Sequence, residues 1–184
     1  MPGQPDRDRN ATVEELRALG HPLRWRILRL CLDSARTNQE LAQRLGVAPA
    51  TVLRHVRVLV RTGFLAAEPV RTGARGALER PYRATKRTWG LGVIDFEQPE
   101  LSRQVDLAML AAHRAELIEA GPEASRDGAR GTLRLGAESQ AELRERMVEL
   151  ISEFADRNEA GGEPLSYLWS LIAREPDTHG DRQG

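Results

Sequence analysis

The chain has 184 residues, enough for one domain with an extension or for two small domains, each able to bury an apolar core. It contains one cysteine, which excludes an internal disulfide, and no Cys/His spacing typical of a zinc site occurs. The net charge is zero, yet residues 1–90 carry 17 Lys and Arg against 8 Asp and Glu, whereas residues 91–184 carry 10 against 19. A basic first half favours a polyanionic partner, and an acidic second half is expected to face away from it.

The hydropathy pattern predicts a cytoplasmic protein with no membrane contact. The first ten residues have no apolar stretch typical of a signal peptide, and no run approaches the roughly 20 apolar residues that span a bilayer. A single thiol fits a reducing compartment. The polar residues 1–11 and 175–184 are expected to be disordered tails.

Two helices are predicted first along the chain. Thr12 and Glu15 have the spacing of a capping box at a helix start, and Pro22 suits the first turn of a second helix. Apolar residues recur at helical spacing in both helices, so Cys31 is expected to be a core thiol rather than a reactive one. Val13, Leu16 and Leu19 recur in the first helix, and the stripe expected to be buried in the second helix is Leu23, Ile27, Leu30 and Cys31.

A helix, a turn of three to four residues and another helix are predicted within residues 37–63. Thr37 and Glu40 form a capping box at the start of the first helix. Gly46 is expected to end that helix, and Pro49 suits the start of the next one, which runs to residue 61.

The second of these helices is predicted to have two different faces. Val52, Val56 and Leu59 form its core stripe. No acidic residue occurs within residues 49–63, whereas the outer face of a merely solvated helix usually mixes both signs. The outer face therefore favours contact with a polyanion. The candidate contact residues on or beside it are Pro49, Ala50, Thr51, Leu53, Arg54, His55, Arg57 and Arg61.

A basic β-hairpin is predicted to follow. Residues 64–72 and 80–88 read as strands on either side of the Gly-rich loop 73–79. After a helix pair, such a hairpin can lie along a phosphate backbone while a helix enters the groove. Its candidate contact residues are Arg71, Arg75 and Arg80.

Three stretches of the first half resemble a known family. "ALGHPLRWRIL", "TNQELAQRLGVAPATVLRHVRVLVRTGFL" and "RTGARGALERPYRAT" are similar to the winged helix-turn-helix regulators of the ArsR-like class, over roughly residues 12–86. The resemblance implies a homodimeric transcription factor, expected to be a repressor, that binds double-stranded DNA. It also implies that residues 49–62 form the recognition helix and residues 71–80 the wing. The CxC pair that some metal-sensing members carry on that helix is absent.

The expected fold is mostly α, within the α+β class: a winged helix-turn-helix domain, then a helical dimerisation region with a small strand–helix–strand unit. A helix is expected over residues 99–120, with apolar residues on more than one face. It is therefore expected to pack against two neighbours, one of which is its copy in a second chain. Strands are expected at 132–135 and 165–173, around a helix over 138–157. The expected parts are a DNA-binding domain at 12–90, a dimerisation helix at 91–121, a linker at 122–131 and the C-terminal unit at 132–174.

Arg54 is the favoured candidate for reading a base, because it lies mid-face and its guanidinium matches guanine bidentately; a phosphate contact is the alternative. Leu53 suits a thymine methyl group, and Ala50 permits close approach. Thr51 suits either a phosphate or a base. For His55, a phosphate contact and a half-buried packing role remain open. Arg57 and Arg61 suit phosphate contacts or an ordinary surface.

Other kinds of site have weaker support. Asp106, His113 and Glu116 on the long helix suit a metal or effector site, but also an ordinary polar stripe. Tyr167 and Trp169 suit an effector pocket, a core or a dimer interface. We predict no metal site and no cofactor, and a small-molecule effector stays open.

No GxSxG, HExxH or phosphate-binding loop occurs, so we predict no catalytic residues and no enzyme. The rival to DNA binding is a protein-interaction module whose winged-helix domain binds an acidic partner.

Overall fold

The computed structural model describes residues 9–73, 76–92, 97–157, 159 and 161–173. The chain divides into two compact units, residues 1–121 with 168–184, and residues 122–167. No helix in the described ranges is long and apolar enough to cross a membrane.

The elements follow one another in chain order, with the strands short and the helices dominant. They are β1 (Arg9–Asn10), α1 (Val13–Leu19), α2 (Pro22–Asp33), β2 (Arg36–Thr37), α3 (Asn38–Leu45), α4 (Pro49–Arg61), β3 (Leu65–Ala67), β4 (Arg71–Thr72), β5 (Leu78–Glu79), β6 (Pro81–Ala84), a 3-10 helix (Arg87–Gly90), β7 (Leu91–Gly92), α5 (Pro99–Ala120) and α6 (Ala137–Asp156).

Both predicted capping boxes are confirmed. Thr12 Oγ1 accepts a hydrogen bond from the Glu15 amide at 3.2 Å, and the Glu15 carboxylate accepts one from the Thr12 amide at 2.8 Å. The Thr37 and Glu40 pair repeats the arrangement at 3.2 and 2.7 Å. Each box satisfies two amides that a helix start leaves without intrahelical partners, so local sequence alone sets where α1 and α3 begin.

The first unit has one apolar core, formed by α1 to α4, β3 and the first half of α5. The predicted core stripe of α4 is confirmed, because Val52, Val56 and Leu59 are all 1% exposed or less. Cys31 is fully buried, and burial raises the pKa of its thiol to about 12, so it packs as an apolar side chain. The largest fully buried side chains are Phe64, Leu16, Leu19, Ile27, Leu41, Leu59 and Leu65.

A small antiparallel sheet in the order β2-β6-β3 lies beside the core. Leu65 pairs with Ala84 on one edge, and Arg36 pairs with Tyr82 on the other. The predicted hairpin therefore exists, but its first predicted strand is split into β3, which pairs with β6, and β4, which pairs with β5. Strand β5 lies within residues 73–79, which were predicted to be a loop. Strand β2 was not predicted, because two residues carry too little periodicity to indicate a strand.

The N-terminal segment differs from the expected disordered tail. Strand β1 pairs in parallel with β7, and Ala11 is 5% exposed in the core. The pairing joins residues some 80 positions apart, so no local pattern could indicate it. Residues 1–8 and 175–184, the remainder of the expected tails, lie outside the described residues.

Helix α5 packs on α1 and α2. Its buried residues recur at helical spacing: Ser102, Val105, Ala108 and Ala112. Two cross-helix ion pairs join it to α2, one between Arg26 and Glu119 and one between Arg29 and Glu116 at 3.1 Å.

In the second unit the predicted helix is confirmed as α6, one residue earlier than expected at each end. The strands expected at 132–135 and 165–173 are wrong: both segments lie outside any strand. Within the described residues no neighbouring strand offers them backbone hydrogen bonds, and Leu133 and Leu165 are 65% and 69% exposed. Arg126 instead ties the segments before and after α6 together through Glu163, with its Nη2 2.6 Å from Oε1.

Candidate nucleic-acid interface

The turn between α3 and α4 is held by backbone and side-chain hydrogen bonds. Gly46 adopts a left-handed conformation with φ 63°, a geometry that favours glycine, and its amide donates to the Ala42 and Gln43 carbonyls. Asn38 Nδ2 donates to the Pro49 carbonyl at 3.0 Å and so links the first turns of the two helices. This turn fixes the angle at which α4 leaves α3.

The α4 surface, defined here as Ala50, Thr51, Leu53, Arg54, Arg57 and Arg61, faces away from the core. Ala50, Arg54, Arg57 and Arg61 are exposed, while Thr51 and Leu53 are partly exposed at its edge. Pro49 is exposed at the helix start. The predicted separation of a core stripe from an arginine face therefore exists, and Ala50 leaves the first turn open to close approach.

Two arginines of the α4 surface, Arg54 and Arg57, form no ion pair with any carboxylate among the described residues. In the described part of the chain, the ion pairs that α4 makes involve Arg61, whose Nε lies 3.0 Å from Glu14 Oε1. Both side chains of that pair are more than 60% exposed, so water and salt weaken it. Arg54 and Arg57 therefore carry the positive charge of this surface that no described carboxylate pairs with.

His55 is the candidate that the structure places elsewhere. It is 6% exposed, and its ring packs on the His21 ring with centroids 4.4 Å apart. The packing interpretation thus replaces the phosphate contact. On a helical wheel with 100° per residue, His55 lies at the border between the two faces of α4. A wheel shows one helix only, so it could not indicate that packing against α2 buries this side chain.

The two histidines lie in a positively charged environment. Burial, with His21, Arg24 and Arg54 adding to it, lowers the pKa of His55 to about 4. Burial, with Arg24 and Arg54, also lowers the pKa of His21, whose Nδ1 accepts a hydrogen bond from the Leu23 amide at 3.1 Å. Both imidazole rings are therefore neutral near pH 7. The positive charge of this region comes from the arginines and not from the histidines. Sequence reasoning missed His21 and Arg24, although a histidine before Pro22 at a helix start resembles a cap.

We expect this histidine pair to make the fold sensitive to acid. The His55 pKa is about 4 in the folded chain and 6.5 in the unfolded chain. Below pH 6.5 the unfolded chain therefore binds a proton that the folded chain does not, and stability falls as the pH drops from 6.5 towards 4. We expect a loss of about 2 kcal/mol between pH 7 and pH 5 by urea unfolding. A His55→Leu variant should lose distinctly less over the same interval, and an equal loss in both proteins would contradict this role for His55.

The hairpin arginines are placed differently from one another. Arg71 lies 2.8 Å from Glu40 and 3.8 Å from Glu79, so part of its charge is already neutralised. Burial disfavours ionised Glu40, but the Thr37 amide and Arg71 outweigh it, and the pKa of Glu40 is lowered. Arg80 is exposed beyond β5. Arg75, at the predicted hairpin tip, lies outside the described residues.

The α5 surface, defined as Leu107, Leu110, Leu117 and Ile118, leaves large apolar side chains in water. They are 55%, 49%, 50% and 64% exposed. Their spacing repeats on one side of the helix, opposite the residues that pack on α1 and α2. An apolar strip on a helix already anchored by its other side is typical of a surface that binds a partner.

The other candidate residues do not come together as a site in the described part of the chain. Glu116 pairs with Arg29, and Asp106 and His113 are partly buried on the same helix. Among the described residues, no three His, Cys, Asp or Glu side chains are close enough to hold a metal ion. Tyr167 is 61% exposed, and Trp169 is partly exposed.

Three solved structures are similar to parts of this chain. Reduced HlyU from Vibrio cholerae is 21% identical, with 54% of this chain and 85% of that chain covered and a TM-score of 0.32. The adhesin competence repressor from Streptococcus pyogenes is 16% identical, with 73% and 81% covered and a TM-score of 0.32. A mutant of ZitR from Lactococcus lactis is 14% identical, with 84% and 82% covered and a TM-score of 0.30. No curated protein matches the chain significantly.

Residues 19–67 match a family model described as a helix-turn-helix domain. The match runs from the last residue of α1 to the end of β3, and so contains α3, the turn at Gly46 and α4. It supports a helix-turn-helix domain within the first unit, whose helices and small antiparallel sheet form a winged α+β architecture.

Proposed function

We propose that this chain is a sequence-specific, DNA-binding transcriptional regulator that acts as a homodimeric repressor of the ArsR-like class. The α4 surface carries the proposal, because it combines exposed Arg54 and Arg57, which form no ion pair with any carboxylate among the described residues, with a small residue at Ala50. An α-helix of this width fits the major groove, where the donors and acceptors of each base pair are distinct. No effector is part of the proposal.

The larger side chains of the α4 surface are given roles by their positions. Arg54 lies mid-helix and is proposed to contact guanine, while Leu53 at the edge suits a thymine methyl group. Thr51 and Arg57 are proposed to bind phosphates. Arg61 is proposed as a phosphate ligand that exchanges Glu14 for DNA, a small loss because that pair is exposed.

The hairpin is proposed to lie along the phosphate backbone. Arg80 is exposed and suits this contact directly. Arg71 must first leave Glu40 and Glu79, so we expect it to contribute less than Arg80. Arg75 is the third proposed phosphate contact of the hairpin, on the ground of its position in the sequence between Arg71 and Arg80.

A homodimer is proposed through the α5 surface of two copies. Twofold symmetry would bring the same apolar strip of each copy against the other. Two α4 helices would then enter successive major grooves about 34–36 Å apart, which requires a nearly palindromic operator.

We expect Leu110→Glu to weaken self-association by about a hundredfold, because each interface would bury an unpaired carboxylate. Sedimentation equilibrium measures this. Leu133→Glu is the matched control, since Leu133 is 65% exposed in the segment before α6. A variant that associates like the wild type would rule out the α5 surface as the dimer contact.

Comparing two polyanions tests DNA binding against the rival protein-interaction function. The affinity of the chain for a mixed-sequence duplex and for polyglutamate is measured at 50 and 200 mM salt, a range over which six to ten phosphate contacts lose about 10³–10⁵ in affinity. We expect tighter binding to DNA, with log affinity falling linearly with log salt. Equal or tighter binding of polyglutamate would favour the rival.

A further inference from the structure

Helix α6 has 20 residues and buries none of them. Leu150 and Phe154 are 47% and 57% exposed. An isolated helix of this length is marginally stable in water, because most helical stability in proteins comes from packing an apolar face. The helix therefore requires a partner for that face.

The spacing of the apolar residues indicates what kind of partner fits. Leu143, Met147, Leu150 and Phe154 follow one another at intervals of four, three and four residues. This is the a and d pattern of a coiled coil, in which the partner is another helix with the same repeat. We call these four residues the α6 seam.

The charges beside the seam select the direction of pairing. In an antiparallel pair of α6 helices, Leu143 faces Phe154 of the other copy and Met147 faces Leu150. That register brings Arg146 beside Glu153 of the other copy, and twofold symmetry makes the contact twice. In a parallel pair Arg146 would lie beside Ile151, with no opposite charge. Two α6 helices therefore bring opposite charges together beside the α6 seam only when they pair antiparallel.

We propose that α6 pairs antiparallel with α6 of a second copy of this chain, through the α6 seam and two Arg146–Glu153 contacts. The proposal does not depend on DNA binding or on the α5 surface. Within one chain both side chains already have partners four residues away: Arg146 Nη1 lies 3.2 Å from Glu142, and Arg157 contacts Glu153. These exposed contacts can be exchanged at little cost.

Cysteine cross-linking of the full chain tests the direction. The Met147→Cys and Leu150→Cys variants are co-expressed, oxidised and compared with each variant alone. An antiparallel pair predicts a cross-linked dimer from the mixture, and yields at wild-type background from each variant alone. The native thiol does not interfere, because Cys31 is fully buried. A dimer from Met147→Cys alone would show parallel pairing, and no dimer from the mixture would show that something other than α6 covers the seam; either result overturns the proposal.

Charge reversal tests the Arg146–Glu153 contact separately. We expect Arg146→Glu alone to lower the yield of the mixed cross-link about tenfold, and Arg146→Glu with Glu153→Arg to restore it. A purely intrahelical role predicts the opposite order. The double variant sets a carboxylate at position 146 near Glu142 and a guanidinium at position 153 near Arg157, which makes two like-charge pairs instead of one. Failure of the double variant to restore the yield would overturn the contact.

Discussion

Replacing Leu59 with alanine is expected to lower the free energy of unfolding by about 3 kcal/mol. Leu59 is fully buried on the core side of α4, so the truncation removes apolar contacts and leaves a cavity that the surrounding helices fill only in part. For a marginally stable domain this is a large fraction of the total stability. Urea unfolding followed by circular dichroism measures the change.

Leu133→Ala is the control for the Leu59 prediction. Its side chain is 65% exposed, so we expect a change within about 0.5 kcal/mol. A loss below about 1 kcal/mol for Leu59→Ala would contradict the placement of this residue in the core, and with it the orientation of the α4 surface.

Arg54→Ala is expected to lower the preference for the operator over unrelated DNA by about 1–3 kcal/mol, a factor of roughly ten to a hundred or more. The reason is that a bidentate contact to guanine exists in one sequence context only, whereas phosphates are the same in all. Fluorescence anisotropy with an operator duplex and a scrambled duplex, at one salt concentration, gives the ratio of the two affinities.

Arg57→Ala is the matched control, because Arg57 lies one turn along the same exposed face. As a phosphate ligand it should weaken both duplexes alike and reduce the salt slope by about one unit or less. If Arg54→Ala also weakens both duplexes by the same factor, Arg54 contacts a phosphate and base reading belongs to another residue.

The helices of the first unit could be predicted from the sequence because their signals are local. The capping boxes at Thr12 and Thr37, Gly46 and the prolines that begin α2 and α4 each act within one turn of the chain. The 3.6-residue periodicity of a helix predicts both the apolar and the outer face of α4, and it places the arginines on the outer face.

What could not be predicted depends on contacts between distant residues. His55 is buried because its ring packs against His21, at the start of α2. Arg71 is partly neutralised because the fold brings it against Glu40, which is 31 positions away in the sequence. Strands β1 and β2 have two residues each and are defined by pairing alone. The strands expected around α6 rested on apolar alternation, which indicates a strand only where a partner strand exists.

Selection from a random pool of duplexes tests most directly whether the α4 surface reads DNA sequence, as we propose. The purified chain is used at about 150 mM salt with excess nonspecific competitor DNA. We predict enrichment of an inverted repeat whose half-sites are about one helical turn apart, and loss of that enrichment in the Arg54→Ala variant. A pool that stays unenriched, or the same enriched sequence from both proteins, would contradict the claim.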